Sequence, residues 1–368
     1  MKEEVFVTRT ALPSFEEFCE QIRPLWDSRI LTNMGAQHET FRSALERFLD
    51  IPHAVPFTNG HLALEAALAA LRLPAGGEVI TTPFTFVSTV HAIVRSGFRP
   101  VFCDVLEADG TLDPALLERL LTERTAAILP VHVYGNVCDV ERIDFFARRH
   151  GLKVLYDAAH AFGVRFGGEG VMRFGDASVL SFHATKVFST VEGGAVCTAD
   201  ESLLLPLEDA KNFGIRDEEH CAAVGGNAKM GELQAAMGLC NLRHVGQEIS
   251  ARLAHVAHYR ARLDGRGALR HLAPRPGVEH NGAYFPLVFE DRAARDAAYG
   301  RLLEKGIRAR KYFYPLVPDL ECYAGAPFAA GADVPVARRL SEGVLCLPLY
   351  GDLDPDTVDR ICDCVLGG

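Results

Sequence analysis

Short apolar runs separated by helix-length segments fill the chain from about residue 77 to residue 200. The runs are Glu78-Val-Ile-Thr-Thr, Pro100-Val-Phe-Cys-Asp-Val, Ala126-Ala-Ile-Leu-Pro-Val-His-Val, Leu152-Lys-Val-Leu-Tyr-Asp, Ser178-Val-Leu-Ser-Phe and Gly194-Ala-Val-Cys-Thr. Strands that are apolar on both faces have to be covered on both faces, and strands joined by helices run parallel. The pattern therefore predicts an α/β fold with a mostly parallel sheet.

Helix signals occur between these runs. Asp113 followed by Pro114 is typical of a helix N-terminus and predicts a helix over residues 115–121. Asp139 precedes a second predicted helix, over residues 140–150, which ends at Gly151. A third predicted helix, over residues 61–72, is apolar nearly all round, so we expect it to be buried.

The pattern changes beyond about residue 245. It predicts an Arg/Ala-rich helix over residues 249–263, a strand over 284–289, a helix over 292–305 and a strand over 307–313. Helices and strands in this order are typical of a smaller α+β unit. We therefore expect an N-terminal arm with one helix over residues 1–30, a large domain over 31–245 and a small C-terminal domain over 246–368.

The composition excludes several classes of protein. The 368 residues are 48% hydrophobic and have a net charge of −10, which favours a large core and disfavours a surface for nucleic acid or membranes. The ten cysteines lack spacing suited to zinc, and we predict no metal site. The chain begins without a signal-like segment and has no apolar stretch of about 18 residues, so a cytoplasmic protein is expected.

Polar or aromatic residues follow several of the apolar runs, where ligands bind in open α/β sheets. Asp157, at the end of a buried run, either binds a cationic group or caps a loop. Lys186 is either a desolvated nucleophile or an ordinary surface lysine. Phe86 belongs either to the core or to a planar ligand site. The loop Thr58-Asn-Gly-His leads into the buried helix and either binds a phosphate or is only a turn.

Together, these four features match what pyridoxal 5'-phosphate (PLP) requires. A carboxylate keeps its pyridine nitrogen protonated, and an amine forms a Schiff base with its aldehyde. An aromatic side chain stacks on its ring, and the N-terminus of a helix holds its phosphate. Each feature alone is common, but their combination along one chain favours a PLP enzyme.

Longer stretches resemble the DegT/DnrJ/EryC1/StrS family of nucleotide-sugar aminotransferases. The similar runs are Thr58-Asn-Gly-His-Leu-Ala-Leu, Thr82-Pro-Phe-Thr-Phe-Val-Ser-Thr, Pro130-Val-His-Val-Tyr-Gly, Asp157-Ala-Ala-His-Ala-Phe-Gly, Ser181-Phe-His-Ala-Thr-Lys with Glu192-Gly-Gly, and Gly226-Asn-Ala-Lys-Met-Gly-Glu-Leu-Gln-Ala-Ala-Met. The resemblance implies a PLP-dependent transferase fold of type I, like that of aspartate aminotransferase. This fold has a large lobe with a mostly parallel seven-stranded sheet and a smaller α+β C-terminal lobe.

The resemblance also implies roles for individual residues. Lys186 is expected to carry PLP as an internal aldimine and to move a proton, while Asp157 pairs with the pyridine nitrogen; these two are the expected catalytic residues. The other expected cofactor-binding residues are Gly60, His61, Phe86, His160, Ser181 and Asn227. Asn227 is expected to act from the neighbouring subunit, which implies a homodimer with its active sites at the subunit interface. The sugar is expected near His183, Tyr312 and Tyr314.

The residues around Lys186 indicate which carbon of the sugar reacts. Members of the family that act at C-4 of the sugar usually have Ser-Phe-His before the lysine and Glu-Gly-Gly after it, as here. The expected reaction takes an amino group from L-glutamate, by way of pyridoxamine phosphate, to a dTDP-linked 4-keto-6-deoxyhexose. Its product, a 4-amino-4,6-dideoxy sugar nucleotide, would serve the synthesis of a surface polysaccharide such as O-antigen, or of a glycosylated metabolite. The alternatives are a C-3 aminotransferase of the same family and a non-catalytic regulatory protein with the PLP fold. A sugar dehydratase is disfavoured, because the deoxygenating relatives have His at the position of Lys186.

Overall fold

Strands and helices alternate along most of the computed structural model, which describes residues 4–367. The strands are β1 (Val5–Phe6), β2 (His53–Phe57), β3 (Glu78–Thr81), β4 (Arg99–Phe102), β5 (Thr125–Leu129), β6 (Lys153–Asp157), β7 (Arg165–Phe166), β8 (Glu169–Gly170), β9 (Ala177–Ser181), β10 (Gly194–Thr198), β11 (Arg270–His271), β12 (Val278–Glu279), β13 (Phe285–Val288), β14 (Ile307–Arg308) and β15 (Val344–Leu347). The helices are α1 (Phe15–Ile22), α2 (Pro24–Ser28), α3 (Ala36–Leu49), α4 (Gly60–Ala70), α5 (Val87–Arg95), α6 (Leu117–Leu120), α7 (Val140–His150), α8 (Leu204–Lys211), α9 (Glu232–Leu263), α10 (Arg292–Glu304), α11 (Pro335–Gly343) and α12 (Pro355–Leu366).

The main sheet has seven strands in the order β2-β10-β9-β6-β5-β3-β4. Strand β10 runs antiparallel to both of its neighbours, and the other pairs are parallel. Successive strand residues enter different cores: Val79 packs in the cluster that contains α4, and Ile80 in the cluster that contains α3 and α7. A sheet buried on both faces explains the uninterrupted apolar runs. The predicted α/β class and mostly parallel sheet are confirmed.

The helix boundaries agree with the capping signals in two places. The Asp139 carboxylate accepts the Arg142 N–H at 3.3 Å at the start of α7, and Gly151 ends that helix with φ 65°. The carboxylate of Asp113 likewise accepts the N–H of Ala115 at 2.9 Å. The helix that follows is shorter than predicted, because it opens as a 3-10 turn and only α6 is α-helical. None of the helices within residues 4–367 combines the length and the hydropathy needed to cross a membrane.

The C-terminal part contains a second, three-stranded sheet in the order β11-β13-β15. The predicted strand over 284–289 and helix over 292–305 are confirmed as β13 and α10. Their apolar residues share a core with α12, as Leu287, Leu302 and Ile361 illustrate. The predicted strand over 307–313 was wrong in length: only β14 forms, and it pairs in parallel with β1 of the N-terminal segment.

Two helical segments differ from the sequence prediction. Helix α9 begins at Glu232, so the predicted division between residues 245 and 246 lies inside one continuous helix. The division into domains stays a prediction. The N-terminal segment has two helices where one was expected, because Pro24 takes the first position of the second helix, α2.

Candidate active site

A cavity of about 490 Å³ opens where the strands of the main sheet end. Strand β6 delivers Asp157 to it, β9 delivers Ser181, and the loops after β2 and β3 deliver Gly60 and Phe86. Nine of the eleven predicted site residues line this one cavity: Gly60, His61, Phe86, Asp157, His160, Ser181, His183, Lys186 and Tyr312. Residues that lie far apart in the sequence thus meet as the strand-end pattern predicted.

Asp157 is a buried carboxylate held by hydrogen bonds to both oxygens. Its Oδ2 accepts the hydroxyl of Thr89 at 2.7 Å, and its Oδ1 accepts the N–H of Ala159 at 3.1 Å. Burial raises the pKa of Asp157, whereas these two donors and the charge of Lys186 oppose the increase. Among residues 4–367, no cationic group forms an ion pair with this carboxylate. A positively charged ligand atom in the cavity would stabilise its ionised form.

Lys186 lies on the loop between β9 and β10. Its backbone N–H donates to the carbonyl of His183 at 2.9 Å, which fixes the start of the side chain. Burial lowers the pKa of the Lys186 amine to about 8; Asp157 raises it and Arg310 lowers it further. Within the described part of the chain the amine has neither a hydrogen bond nor an ion pair. A desolvated, unpaired amine of this kind is a nucleophile toward carbonyl carbon.

His160 enters the cavity as a neutral ring. Its Nδ1 accepts the N–H of Tyr134 at 3.0 Å, which leaves the ring proton on Nε2. Burial lowers the pKa of His160 well below its ordinary value, and the charge of Lys186 acts in the same direction. The ring also packs against Tyr284, with centroids 4.8 Å apart. His160 is therefore a fixed hydrogen-bond donor and not a charge.

The N-terminus of α4 forms the opposite side of the cavity. The Asn59 side chain caps the helix by accepting the N–H of Leu62 at 2.8 Å. The N–H groups of Gly60 and His61 precede the first intrahelical bonds and are available to an anion. A methyl group on Gly60 would lie 3.0 Å from Cβ of Ser181, so glycine allows the helix to approach the hydroxyl of that serine. The side chain of His61 contacts Ser88 at 2.8 Å instead.

Aromatic and charged residues surround the mouth of the cavity. Phe86 leaves 45% of its surface exposed there, and its ring centroid lies 6.3 Å from that of Tyr312. Arg310 stacks on Tyr312 at 3.9 Å from the ring centroid. His183 lies 3.5 Å from Glu192, measured from Nε2 to Oε1. The mouth can thus contact a ring, an anion and hydroxyl groups.

Two predicted residues lie outside this cavity. Asn227 is exposed, and its side-chain oxygen accepts Nζ of Lys229 at 2.9 Å. Tyr314 packs against α10, where Arg292 and Arg295 lie 5.2 and 4.7 Å from its ring centroid. Tyr314 therefore does not line the cavity of its own chain, and its role in the sugar site stays a prediction.

Three residues of the site were not predicted from the sequence: Thr85, Thr89 and Arg310. The two threonines stand four residues apart across the start of α5, and this spacing is a signal for side chains on one helix face. The hydrogen bond of Thr89 to Asp157 joins residues 68 apart in the sequence, so no local pattern reveals it. Arg310 could not be predicted from the sequence, because its place at the cavity depends on how the C-terminal part packs.

The residues present fit PLP. The buried carboxylate of Asp157 lacks a cationic partner, which a protonated pyridine nitrogen supplies. The amine of Lys186 is unpaired and uncharged at mildly alkaline pH. The free N–H groups of α4 and the hydroxyl of Ser181 are donors suited to a phosphate, and the exposed face of Phe86 suits an aromatic ring.

Comparison with known proteins covers nearly the whole chain. A family model described as the DegT/DnrJ/EryC1/StrS aminotransferase family matches residues 14–366. Two similar proteins, from Shigella dysenteriae and Escherichia coli, are each called dTDP-4-amino-4,6-dideoxy-D-glucose transaminase. The Shigella protein is 39% identical over 363 residues and the Escherichia protein 40% identical over 365, with 98% of each chain covered in both cases.

Solved structures show the same architecture. The crystal structure of DesI in the presence of its TDP-sugar product matches with a TM-score of 0.93 and 32% sequence identity. The match covers 100% of this chain and 93% of that chain. The expected fold class is therefore confirmed over the full length of the chain.

Proposed function

The chain belongs to the DegT/DnrJ/EryC1/StrS aminotransferase family, and we propose that it transfers an amino group to C-4 of a dTDP-linked 4-keto-6-deoxyhexose. As a member of this family it is a PLP-dependent sugar-nucleotide aminotransferase. The proposed donor is L-glutamate, which leaves as 2-oxoglutarate. The proposed product is a 4-amino-4,6-dideoxy sugar nucleotide. We keep the expected cytoplasmic location as part of the proposal.

Lys186 and Asp157 are the proposed catalytic residues. When bound, PLP takes the amino group and the electron pair from the donor and delivers both to the carbonyl carbon of the acceptor. Lys186 is the proposed point of covalent attachment, and its amine afterwards holds and moves the proton at the reacting carbon. Asp157 holds the pyridine nitrogen in its protonated form. His160 supplies a neutral N–H donor on the same side of the cavity.

The phosphate of the cofactor is assigned to the N-terminus of α4. The N–H groups of Gly60 and His61 and the hydroxyl of Ser181 converge on this side of the cavity. Asn227 lies outside the cavity of its own chain and is exposed, which supports a contact from a partner subunit. The proposed enzyme is accordingly a homodimer in which each subunit completes the other's site.

The substrates are assigned to the mouth of the cavity. Arg310 is the cation placed to bind an anionic group, either a carboxylate of glutamate or the diphosphate of the sugar nucleotide. His183 and Tyr312 line the same region and are proposed to contact the sugar. Tyr312 and Arg310 are stacked, so they form one continuous surface.

One observation carries the choice of reaction at C-4. Two relatives about 40% identical over 98% of the chain are named as transaminases of dTDP-4-amino-4,6-dideoxy-D-glucose. The Ser-Phe-His-Ala-Thr-Lys block and the Glu-Gly-Gly that follows it support the same choice.

The test is to incubate the purified protein with PLP, L-glutamate and dTDP-4-keto-6-deoxyglucose. Mass spectrometry should detect the amino sugar nucleotide, and 2-oxoglutarate should form in equal amount. Lys186→Ala is the control and should form neither product. Turnover of only the corresponding 3-keto sugar nucleotide would move the assignment to C-3, and an absence of the visible absorption of bound PLP would contradict an enzyme altogether.

A further inference from the structure

Two threonines connect the cavity to the buried carboxylate of Asp157. Thr85 and Thr89 lie 2.8 Å apart between their hydroxyl oxygens, and Thr89 donates to Oδ2 of Asp157 at 2.7 Å. Thr89 is fully buried and does not line the cavity, whereas Thr85 does. We call this pair of threonines the hydroxyl relay.

The direction of the protons in the relay follows from counting donors. A hydroxyl has one proton to donate. When Asp157 is ionised, Thr89 donates its proton to the carboxylate, so the oxygen of Thr89 accepts the proton of Thr85. On the other carboxylate oxygen, Oδ1, the N–H of Ala159 donates at 3.1 Å. With Asp157 ionised every donor points at the carboxylate, whereas a proton on Oδ2 of Asp157 would require both threonine hydroxyls to reverse the direction of their hydrogen bonds.

We propose that the hydroxyl relay keeps Asp157 ionised and fixed in orientation, so that it pairs with the protonated pyridine nitrogen of PLP. The proposal rests on the proposed function only in taking PLP as the cofactor. Thr89 is a positioning residue, because it acts through Asp157 and touches neither the cavity nor a ligand in it. Hydrogen bonds to charged groups are stronger than neutral ones, which gives the relay its effect.

The hydroxyl relay acts together with other influences on the protonation of Asp157. Burial is the main influence and raises the pKa of Asp157. Lys186 is the charged side chain that acts on it directly, and Arg310 acts in turn on Lys186. His160 is neutral and adds no charge. The N–H of Ala159 and the relay are therefore the fixed donors that favour the ionised carboxylate.

The test compares Thr89→Val and Thr89→Ser in the full-length protein, which is titrated with PLP. The Kd of PLP is measured by visible absorption from about pH 6 to pH 9, which brackets neutrality. Thr89→Val should raise the Kd roughly tenfold or more, the fold-change expected from one lost hydrogen bond to a charged group. The increase should be larger at low pH, because Asp157 then protonates more easily. Thr89→Ser keeps the hydroxyl and should bind PLP like the wild type.

Thr81→Val is the matched control for loss of a buried hydroxyl. Thr81 is also fully buried, and its hydroxyl donates to the carbonyl of Leu129 at 2.7 Å with no link to Asp157. Its replacement should lower thermal stability without changing the pH profile of PLP binding. Equal PLP binding by Thr89→Val and Thr81→Val at every pH would overturn the proposal.

Three further outcomes keep the test decisive. If Thr89→Val does not fold, Thr85→Val takes its place: a smaller increase in Kd, restored by Thr85→Ser, supports the relay, and no increase overturns it. If the wild type binds PLP but aminates no sugar, only the proposed substrate fails, and the threonine variants still decide the relay. If the wild type binds no PLP, both proposals are wrong.

Discussion

Three influences set the protonation of Lys186 at the scale of single residues. Burial and the charge of Arg310 lower the pKa of its amine, and Asp157 raises it, with a result of about 8. The uncharged amine reacts with the aldehyde of PLP, so the rate at which cofactor-free protein binds PLP should rise with pH and be half-maximal near that value. Arg310→Gln removes a positive charge, so the midpoint should move to higher pH.

Stopped-flow absorption over a range of pH measures this rate. Arg148→Gln is the control, because Arg148 is an exposed arginine of α7 that pairs with Asp144, and neither residue lines the cavity. Its midpoint should equal that of the wild type. A midpoint for Arg310→Gln that is unchanged or lower would show that the charge of Arg310 does not reach the amine.

Two phenylalanines that are two residues apart are expected to have different roles, one in ligand binding and the other in folding. Phe86 is 45% exposed at the cavity, whereas Phe84 is fully buried with its ring edge-on to Tyr134 and Phe313. Phe86→Leu should raise the Kd of PLP about 2- to 10-fold, as expected for loss of an aromatic stack, with little change in Tm. Phe84→Leu should cost about 1–3 kcal/mol of unfolding free energy.

A titration with PLP and thermal unfolding of the cofactor-free proteins measure the two effects. The expected pattern is a change in affinity for one variant and a change in stability for the other. Phe86→Leu could instead lower Tm as much as Phe84→Leu and leave PLP affinity intact. That result would place Phe86 in the core, which is the alternative interpretation of its position in the sequence.

The position of a site residue could be predicted from the sequence where that residue lies at the end of a predicted strand. Asp157 and Ser181 end β6 and β9, so the strand pattern placed them at one edge of the sheet. Thr89 and Arg310 could not be placed in this way. Their positions depend on packing between distant segments, which a local pattern does not record.

At the scale of elements, β10 and the N-terminus of α4 are in close contact. A methyl group on Gly194 of β10 would lie 2.6 Å from the backbone nitrogen of Gly60 and 2.7 Å from its Cα. Gly194→Ala should therefore displace the helix end that is assigned to the phosphate. We expect a lower Tm and a larger loss of affinity for PLP than for pyridoxal, which has no phosphate.

Gly300→Ala in α10 is the control for this substitution. No atom lies within 4 Å of the added methyl group, and alanine is favoured over glycine in a helix by about 1 kcal/mol. It should leave both affinities unchanged and raise Tm slightly. Equal losses of PLP and pyridoxal affinity in Gly194→Ala would mean that the helix end does not bind the phosphate.

Strand β2 and the first half of α9 were not predicted from the sequence, and each omission has a physical reason. Strand β2 contains Pro56, which is typical of an edge strand, and β2 does lie at the edge of the main sheet. Helix α9 was predicted to begin 17 residues too late, at 249 instead of 232. Its first half includes Gly238, a weak helix former that lies against Phe41 of α3, where a methyl group would be 2.5 Å from the ring. At this position tertiary packing outweighs the low helix propensity of glycine.

At the scale of the whole molecule, the net charge and the proposed ligands have to be reconciled. The chain carries a charge of −10, yet PLP, glutamate and a sugar diphosphate are all anionic. The cavity itself is lined by the cations Lys186 and Arg310 and by the N-terminus of α4. Local donors and cations can thus bind small anionic ligands in a chain whose overall charge disfavours extended anionic partners.

The proposed homodimer makes a prediction about which subunit supplies Asn227. Asn227 is exposed and lies outside the cavity of its own chain. We consider a heterodimer, purified through two different tags, in which one subunit carries Lys186→Ala and the other Asn227→Ala. Visible absorption reports only the site that retains Lys186. If Asn227 acts across the interface, that site receives an intact Asn227 of the partner subunit and should bind PLP with wild-type affinity, in about half of the sites.

A reciprocal heterodimer provides the control, with Lys186→Ala and Asn227→Ala together in one subunit and a wild-type partner. Its reporting site retains both residues in its own chain but lacks Asn227 of the partner subunit, so its affinity should fall to that of the Asn227→Ala homodimer. The opposite assignment of affinities between the two heterodimers would place Asn227 in the site of its own chain. Each heterodimer carries one Lys186→Ala and one Asn227→Ala substitution and one intact copy of each residue. A general effect of the substitutions on folding would therefore change both heterodimers alike, and only the route of the contact can separate them.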